Sequence, residues 1–285
     1  MHNFALDFLL SAMRISLPLT LAAMGGFWSE KSGIAQVGLE GFLLLGALCG
    51  ASFAELTHSL GLSFALTLFV GGMAGILFYL LAQRLKINQI LVGLIFNLLI
   101  AGIAPFVTKI AFGSTGSTPS MDPALKWTVF PYFWVAFCFV SSRIIFGRTG
   151  FGLLVKFAGE KPAVIESAGY SLNVVRLLSL VLCGILTASG GFILSTYLAS
   201  SYSPMMSAGR GFIALAALIF AGWNLNRAFI MAIVFGLLEA LQIYLQGFDL
   251  PIPNQFFQSL PYLMTVVILL FNVKGQYAPT AIGKD

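Results

Sequence analysis

Acidic side chains inside long apolar stretches are the residues of this chain with the clearest chemical potential. Glu40 and Glu239 lie within such stretches, and Glu55 lies closer to the end of one. A carboxylate in hydrocarbon costs about 3 kcal/mol on insertion scales, so each is expected to face a cavity or a protein partner. Groups placed in this way fit a solute pathway or helix pairing better than a hydrolytic reaction.

The two deepest carboxylates each leave two interpretations open. Glu40 belongs to Gln36-Val-Gly-Leu-Glu-Gly41, near one end of the second apolar stretch. It is either a gate or packing contact near a broken helix, or a carboxylate that reaches the membrane interface. Glu239 shares a helical face with Gln242 at spacing i, i+3, and it either pairs with a basic residue or lines the pathway.

Amide side chains mark the fourth apolar stretch. Asn97 lies in its middle, and a buried amide needs hydrogen-bond partners. An interhelical hydrogen bond and a substrate contact are the two roles left open for it. Asn88 and Gln89 begin the same stretch and are expected to cap it at the membrane interface.

Residues for covalent or metal chemistry are sparse. The two histidines, His2 and His58, belong to no metal-binding motif, and the chain has no P-loop. The cysteines show neither metal spacing nor a disulfide framework, and they fit small buried apolar residues: Cys49, Cys138 and Cys183. The sequence therefore predicts no catalytic residue, no metal site and no bound cofactor in this chain.

The elements that position these residues are membrane spans. Of the 285 residues, 59% are hydrophobic and 9% charged, against about 25% charged in soluble domains, which excludes a water-soluble protein. The N-terminus has no basic region followed by a cleavage site, so its first apolar run is expected to be a retained span. Eight segments have spanning length: Leu9–Trp28, Gln36–Leu56, Leu62–Gln83, Ile90–Phe112, Val129–Phe146, Val174–Leu198, Ala228–Leu245 and Phe256–Asn272.

A ninth apolar segment, Gly211–Trp223, is shorter and covers only about 20 Å as a helix. It spans the membrane with extra turns or dips into it partway. The sequence thus predicts an all-α polytopic membrane protein with about eight or nine transmembrane helices, forming a single domain over residues 1–285.

The basic residues predict the orientation of the chain. The net charge of +5 does not indicate nucleic acid, because the basic residues are spread through the loops between spans. With nine crossings and an outside N-terminus, eleven fall inside: Lys31, Arg84, Lys86, Arg143, Arg148, Lys156, Lys161, Arg176, Arg227, Lys274 and Lys284. Four fall outside or near the outer boundary: Arg14, Lys109, Lys126 and Arg210. This bias predicts a cytoplasmic location for residues 147–171, whereas a re-entrant ninth segment would invert the last two spans.

Residues 147–171, which we call the platform, are more elaborate than a simple turn requires. Pro162 suits the first position of a helix and Gly169 the position after its end, which predicts a helix over Pro162–Ala168. Its apolar face consists of Val164, Ile165 and Ala168. That face fits a groove on another protein. The other interpretation is a helix resting on the membrane interface.

Glycine and tryptophan predict how the spans pack. Small residues cluster in Gly46–Gly50 and Gly71–Gly75, which suit close helix packing within the bundle or at a subunit interface. The four tryptophans lie near span ends or outer loops and are expected to form an interfacial belt: Trp28, Trp127, Trp134 and Trp223.

Several stretches resemble one transporter family. Gly159-Glu160-Lys161-Pro162 followed by Ala168-Gly169 resembles the coupling segment of bacterial ABC importer permeases of the branched-chain amino acid, ribose and nucleoside type. Similarity to the nucleoside and simple-sugar branch lies in Gly26–Gly33 leading into Val37–Gly41, Asn88–Gly93 with Asn97, and Ala208–Ala217 with Gly222-Trp223. The resemblance runs from about Pro18 to Asn272. The family more often has Asn at Gln36 and Lys161 and a smaller aliphatic residue at Tyr170, which bears on the ATPase that the platform accepts.

The resemblance implies a permease subunit in the bacterial plasma (inner) membrane that helps to import nucleosides or related simple sugars. Two such subunits, identical or different, would form the pathway, and an extracytoplasmic binding protein would deliver the solute. Two cytoplasmic ATPases would carry the ATP and Mg²⁺. ATPase coupling would fall to Gly159, Glu160, Lys161, Pro162, Val164, Ile165, Ala168 and Gly169.

Two other function classes remain at this stage. An ion-gradient-driven secondary transporter would need ligands for its coupling ion near broken helices at the membrane midplane, and Glu239 with Asn97 is slender support for that. A membrane scaffold that transports nothing is the third.

Overall fold

The computed structural model describes residues 4–114, 116–122, 127–247, 253, 256–257, 259–260, 263, 266 and 278–283, with side chains from residue 6 onward. Within these residues the chain is helical and contains no strand, as the sequence predicts. The helices are α1 Phe4–Lys31, α2 Leu39–Thr57, α3 Leu60–Tyr79, α4 Gln89–Phe112, α5 Phe130–Arg148, α6 Gly150–Glu160, α7 Pro162–Ser167, α8 Leu172–Ile193, α9 Arg210–Phe220 and α10 Leu225–Gln246. Single π-helical turns, Leu80–Arg84 and Leu194–Ala199, extend α3 and α8.

Seven of the described helices are long and apolar enough to cross a membrane: α1, α2, α3, α4, α5, α8 and α10. They correspond to seven of the eight full-length segments predicted from the sequence. The remaining predicted span, Phe256–Asn272, lies outside the described residues apart from isolated positions. α9 is apolar but has only 11 residues.

The centre of the bundle is α8, which packs along α1, α2 and α3. Burial covers 72% of its apolar window, against 22% for α5, which lies at the periphery. Glycine permits the close approach, since a Cβ at Gly191 would overlap the Leu43 carbonyl oxygen of α2. A Cβ at Gly71 of α3 would stand 2.7 Å from the Gly184 carbonyl oxygen. A Cβ at Gly46 of α2 would likewise overlap the Ala188 backbone of α8, so both glycine clusters serve packing within the bundle.

The chain between α8 and α10 runs from one end of the bundle to the other, although only α9 in it is helical. At its start, the Tyr202 amide donates to Thr118 Oγ1 at 2.9 Å, beside the connection from α4 to α5. At its finish, Trp223 Nε1 donates to Glu30 Oε2 at 2.6 Å, in the last turn of α1. The last turn of α1 contacts the platform. The platform follows the end of α5, whereas the connection from α4 leads into the start of α5, so the two lie at opposite ends of the bundle. Since α9 alone is about 16 Å long, the turns before it supply the remaining length.

The platform contains two helices, α6 and α7. Pro162 is the first residue of α7, and Gly169 adopts φ +79° just beyond its end. Only part of the predicted docking face is available, because Ile165 is 1% exposed whereas Val164 and Ala168 stay exposed. Ile165 is buried since α7 folds back onto α6 and α8.

Trp28 is not an interfacial anchor, which corrects the prediction of a tryptophan belt. It is 1% exposed, packs against the Phe146 and Phe151 rings and donates a hydrogen bond to Ser142 Oγ at 3.2 Å. The end of α5 and the start of α6 cover it. Trp127 and Trp134 are half-buried in an aromatic cluster around Phe64.

Candidate functional site: a buried polar joint and the platform

Two non-helical segments interrupt the helices of the bundle, residues 32–38 between α1 and α2 and residues 203–209 before α9. In the second segment Ser207 is buried, whereas Ser203–Met205 and Ala208 are exposed. Residues 32–36 are all buried. A backbone N–H or C=O without a partner costs several kcal/mol in hydrocarbon, so irregular backbone at this depth needs side-chain partners. We call the side chains that serve these segments the polar joint: Glu30, Glu40, Gln89, Asn97 and Ser207.

The first segment is held by acceptors on α1 and α4. Gln89 Oε1 accepts from the Ala35 amide at 2.8 Å, and Glu30 Oε1 accepts from the Gln36 amide at 3.3 Å. Gln89 is buried, so it does not cap α4 at an interface as predicted; Asn88 does, accepting from the first amides of α4. The difference arises because segment 32–38 covers Gln89.

Asn97 ties α4 to the start of α2. Its Oδ1 accepts from the Gly41 amide at 2.7 Å, and its Nδ2 donates to the Val37 carbonyl at 3.0 Å. Both bonds go to backbone groups that a continuous helix would have paired internally. The amide therefore replaces helical hydrogen bonds at the break.

Glu40 joins the two breaks. It is 4% exposed, and its Oε1 accepts from Ser207 Oγ at 2.5 Å and from the Gly209 amide at 2.8 Å. Its Oε2 accepts from the Gly211 amide at 2.7 Å, in the first turn of α9. A carboxylate here satisfies free N–H groups and complements the positive end of the α9 dipole. A Cβ at Gly211 would overlap the Glu40 backbone, so only glycine permits this approach.

Glu239 pairs with Arg210, which also lies at the start of α9. Arg210 additionally donates to the Met206 carbonyl at 2.9 Å. The location of Arg210 outside or near the outer boundary stays a prediction; the structure adds that the residue is half-buried and paired with Glu239. Gln242 is half-buried, and no side-chain hydrogen bond joins it to Glu239 within the described residues.

Two buried charges of this region escaped the sequence analysis. Glu30 is the acidic residue of the Gly26–Gly33 stretch. Its position at the end of a predicted span was the feature that could have marked it as a buried charge. Arg176, counted on the inside and within the predicted span Val174–Leu198, was not predicted to be buried; it donates to the Ser32 carbonyl at 3.4 Å and to Gln83 Oε1 at 2.5 Å.

The platform carries an open apolar groove of about 440 Å³ between α6 and α7. Ile165 contributes to its floor and Tyr170, 57% exposed, to its rim. The other lining residues are mostly apolar and include Phe151, Leu154, Phe157, Val164 and Ala168.

The residues before the groove connect it to the bundle. Glu160 pairs with Lys31 of α1 at 3.4 Å. The Gly159 carbonyl accepts from the Ala281 amide at 2.9 Å, so residues 278–283 lie over the end of α6. Lys161 is exposed between the two helices.

The polar joint and the platform are connected through the last turn of α1. Ser29, Glu30 and Lys31 are consecutive at the end of α1. Glu30 belongs to the polar joint and Lys31 contacts the platform, so both regions contact adjacent residues of one helix turn. In the part of the chain that the structure describes, no three His, Cys, Asp or Glu side chains form a group that could hold a metal ion.

A bundle of apolar helices with helix breaks tied by polar side chains and an apolar surface at one end is the architecture of a membrane transport protein. The chain belongs to the family described as the permease component of branched-chain amino acid transport systems, whose model matches residues 8–269. It is therefore a transport subunit and a multi-pass protein of the bacterial inner membrane.

Several relatives match almost the whole chain. The guanosine ABC transporter permease protein NupQ of Bacillus subtilis is 30% identical over 93% of this chain and 92% of its own. The nucleoside ABC transporter permease protein NupC of Lactococcus lactis is 28% identical over 94% and 92%. The putative glucose ABC transporter permease protein TsgC13 of Haloferax volcanii is 27% identical over 95% and 93%. No solved structure matches.

Proposed function

We propose that this chain is a membrane-spanning permease subunit of an ABC importer for nucleosides. The observation that carries the proposal is the match, over more than nine-tenths of both chains, to permeases described for nucleosides and for guanosine. The similarly long match to a putative glucose permease favours simple sugars as the second candidate.

The platform is the proposed docking surface for a cytoplasmic ATPase that binds ATP and Mg²⁺. Its open groove and exposed Tyr170 suit an apolar side chain or helix of a partner. Movement of the platform would reach α1 through the Glu160–Lys31 ion pair and the polar joint through the neighbouring Glu30. ATP binding would thus favour one of two arrangements of the breaks, because the docked ATPase has different affinities for them.

The remaining partners follow from the same proposal. A second permease subunit, identical or different, would complete the pathway, and an extracytoplasmic binding protein would deliver the solute. Counting residues 200–223 as one crossing gives eight crossings within residues 4–246, and Phe256–Asn272 is the proposed ninth. The excess of basic residues at the platform end supports a cytoplasmic platform.

A secondary transporter receives no support. Its coupling ion would need free carboxylate or carbonyl ligands near the breaks. In the described structure Glu40 already accepts three hydrogen bonds, Glu30 two, and Glu239 pairs with Arg210. The relatives are ABC transporter permeases.

The test is uptake of labelled guanosine, other nucleosides, pentoses and glucose by cells that express the complete importer. Nucleosides are expected to be taken up and to compete with one another. Val164→Asp with Tyr170→Asp should abolish uptake and release the ATPase during purification, since loss of an interface anchor costs about 2 kcal/mol or more for each residue.

Ala163→Asp supplies the matched control, because Ala163 is an exposed residue of α7 that does not line the groove. It should keep both uptake and ATPase binding. Normal uptake in the Val164/Tyr170 variant would contradict the docking assignment. Uptake of glucose without nucleosides would contradict the substrate assignment.

A further inference from the structure

A second cavity, of about 770 Å³, lies at the platform end of the bundle and is separate from the apolar groove. It forms where the end of α5, the outer side of α6 and the turn before α10 meet. The basic residues that line it are Lys31, Arg143, Arg148 and Lys156, and none of its lining residues in the described part of the chain is acidic. A concave surface with this charge is built to attract an anion.

Part of this positive charge is free to bind a ligand. Lys31 pairs with Glu160, and Arg143 donates to Asn226 Oδ1 at 3.2 Å. Arg148 and Lys156 are exposed and have no ion-pair or hydrogen-bond partner for their side chains in the described part of the chain. Two basic side chains without partners lie beside two that are held by partners. Together they can donate hydrogen bonds to a group with more than one negatively charged oxygen.

The surface adjoining the cavity is apolar and points away from the bundle. Val140 and Ile144 line the cavity on α5 and are exposed, and Phe137, one turn further into the membrane span, is exposed as well. Across the cleft, Ile230 of α10 is also exposed. The basic cavity thus continues into an apolar surface along two spanning helices. A lipid, with a charged headgroup and apolar chains, matches this arrangement better than a soluble anion does.

We propose that this cavity binds the phosphate headgroup of an anionic phospholipid of the membrane leaflet on the platform side, with its acyl chains along α5 and α10. Because Lys156 belongs to the platform helix α6 and Lys31 to α1, which pairs with the platform, a bound headgroup would brace the platform against α1 and α5. The lipid would thereby favour a fixed platform position.

The experiment compares the purified full-length protein in nanodiscs of phosphatidylcholine alone and with added phosphatidylglycerol, following thermal unfolding and lipid binding by native mass spectrometry. Phosphatidylglycerol should bind and stabilise the protein. Arg148→Gln with Lys156→Gln should weaken this binding about 30-fold, as expected for two basic side chains at a membrane surface.

Arg84→Gln with Lys86→Gln is the matched control. It removes the same charge from exposed positions between α3 and α4, outside the cavity. It should bind phosphatidylglycerol like the parent protein, and both variants should unfold alike in phosphatidylcholine. Equal weakening in the two variants would reduce the effect to general surface attraction and overturn the proposal.

Two further arms separate other occupants. Inorganic phosphate and glycerol phosphate should not reproduce the stabilisation, and if they do, the site takes a soluble anion. If the Arg148/Lys156 variant responds normally to lipid but loses the ATPase, the cavity belongs to that partner. Either outcome would overturn the lipid assignment.

Discussion

Buried carboxylates in this permease act as structural acceptors at the scale of single residues. Glu40 and Glu30 each bind donors from segments that are distant in sequence, and their position at helix breaks explains why an apolar bundle retains them. A carboxylate supplies several acceptor sites without a donor, which suits clustered backbone N–H groups at the start of a helix. The gate and interface interpretations of Glu40 did not anticipate Ser207, because residues so far apart share no pattern in sequence.

Glu40→Gln should lower the free energy of unfolding by about 2 kcal/mol, since an amide keeps the shape but turns one accepting oxygen into a donor facing backbone N–H groups. Thermal unfolding in detergent measures the effect. Glu55→Gln, on the same helix and without a side-chain hydrogen bond among the described residues, is the control and should change stability by less than about 0.5 kcal/mol. Equal effects in the two variants would mean that the bonds to Ser207, Gly209 and Gly211 contribute nothing.

At the scale of elements, local composition predicts where the helices lie better than it predicts which side chains hold the breaks between them. The apolar runs placed seven spans close to their observed bounds, and Pro162 with Gly169 bounded the short platform helix. The break between α1 and α2 was also placed, since the predicted spans end at Trp28 and resume at Gln36, each three residues from the observed bounds at Lys31 and Leu39. Composition did not predict which side chains hold this break. What interrupts the helix is a set of partners on α4 and α1, such as Asn97, and these contacts exist only in the folded bundle.

The packing of α3 against α8 gives a test at this scale with two adjacent glycines. A Cβ at Gly71 would lie 2.5 Å from Ala188 Cβ, whereas at Gly72 the nearest atom is Ile185 Cγ1 at 3.5 Å. Gly71→Ala should therefore destabilise the protein by about 1–3 kcal/mol through overpacking. Gly72→Ala should be neutral or stabilise by up to about 1 kcal/mol, because alanine favours a helix over glycine.

Unfolding of both variants under the same detergent conditions decides the matter. Equal stability of the two would show that α3 can move away from α8 at little cost. The glycine cluster would then not determine the spacing of these helices.

At the scale of the whole molecule, the platform and the polar joint form one connected path. Lys31 reaches the platform and Glu30, the preceding residue, holds both the first break and the turn before α10. The sequence resemblance supplied the idea of a coupling platform, but not this route. Neither Glu30 nor the Lys31–Glu160 pair can be inferred from spacing, because the pair joins residues 129 positions apart.

Orientation is a testable property of the whole chain. Single cysteines in place of Glu166, on the platform, and of Ser120, between α4 and α5, should lie on opposite sides of the membrane. Both positions are exposed. A membrane-impermeant maleimide should label Glu166→Cys only in inverted vesicles and Ser120→Cys only in right-side-out vesicles, as the excess of basic residues at the platform end predicts.

The parent protein is the control for this labelling. Its cysteines lie within α2, α5 and α8, and Cys138 and Cys183 are buried, so its background should be low. Labelling of both introduced cysteines in the same vesicle preparation would refute the predicted orientation.

The long sequence separations across the polar joint also impose an order on biosynthesis. Ala35 precedes its partner Gln89 by 54 residues, and Glu30 precedes Trp223 by 193. At about 5–20 residues per second, translation needs roughly 10–40 s to cover the longer interval. During that time α1 and α2 have already left the ribosome while the break between them lacks its final partners. Gln89 and Asn97 can complete their bonds around segment 32–38 once the first 97 residues are made. The Ser32 carbonyl and the Glu30 Oε2 atom acquire their partners, Arg176 and Trp223, only when the second half of the chain arrives.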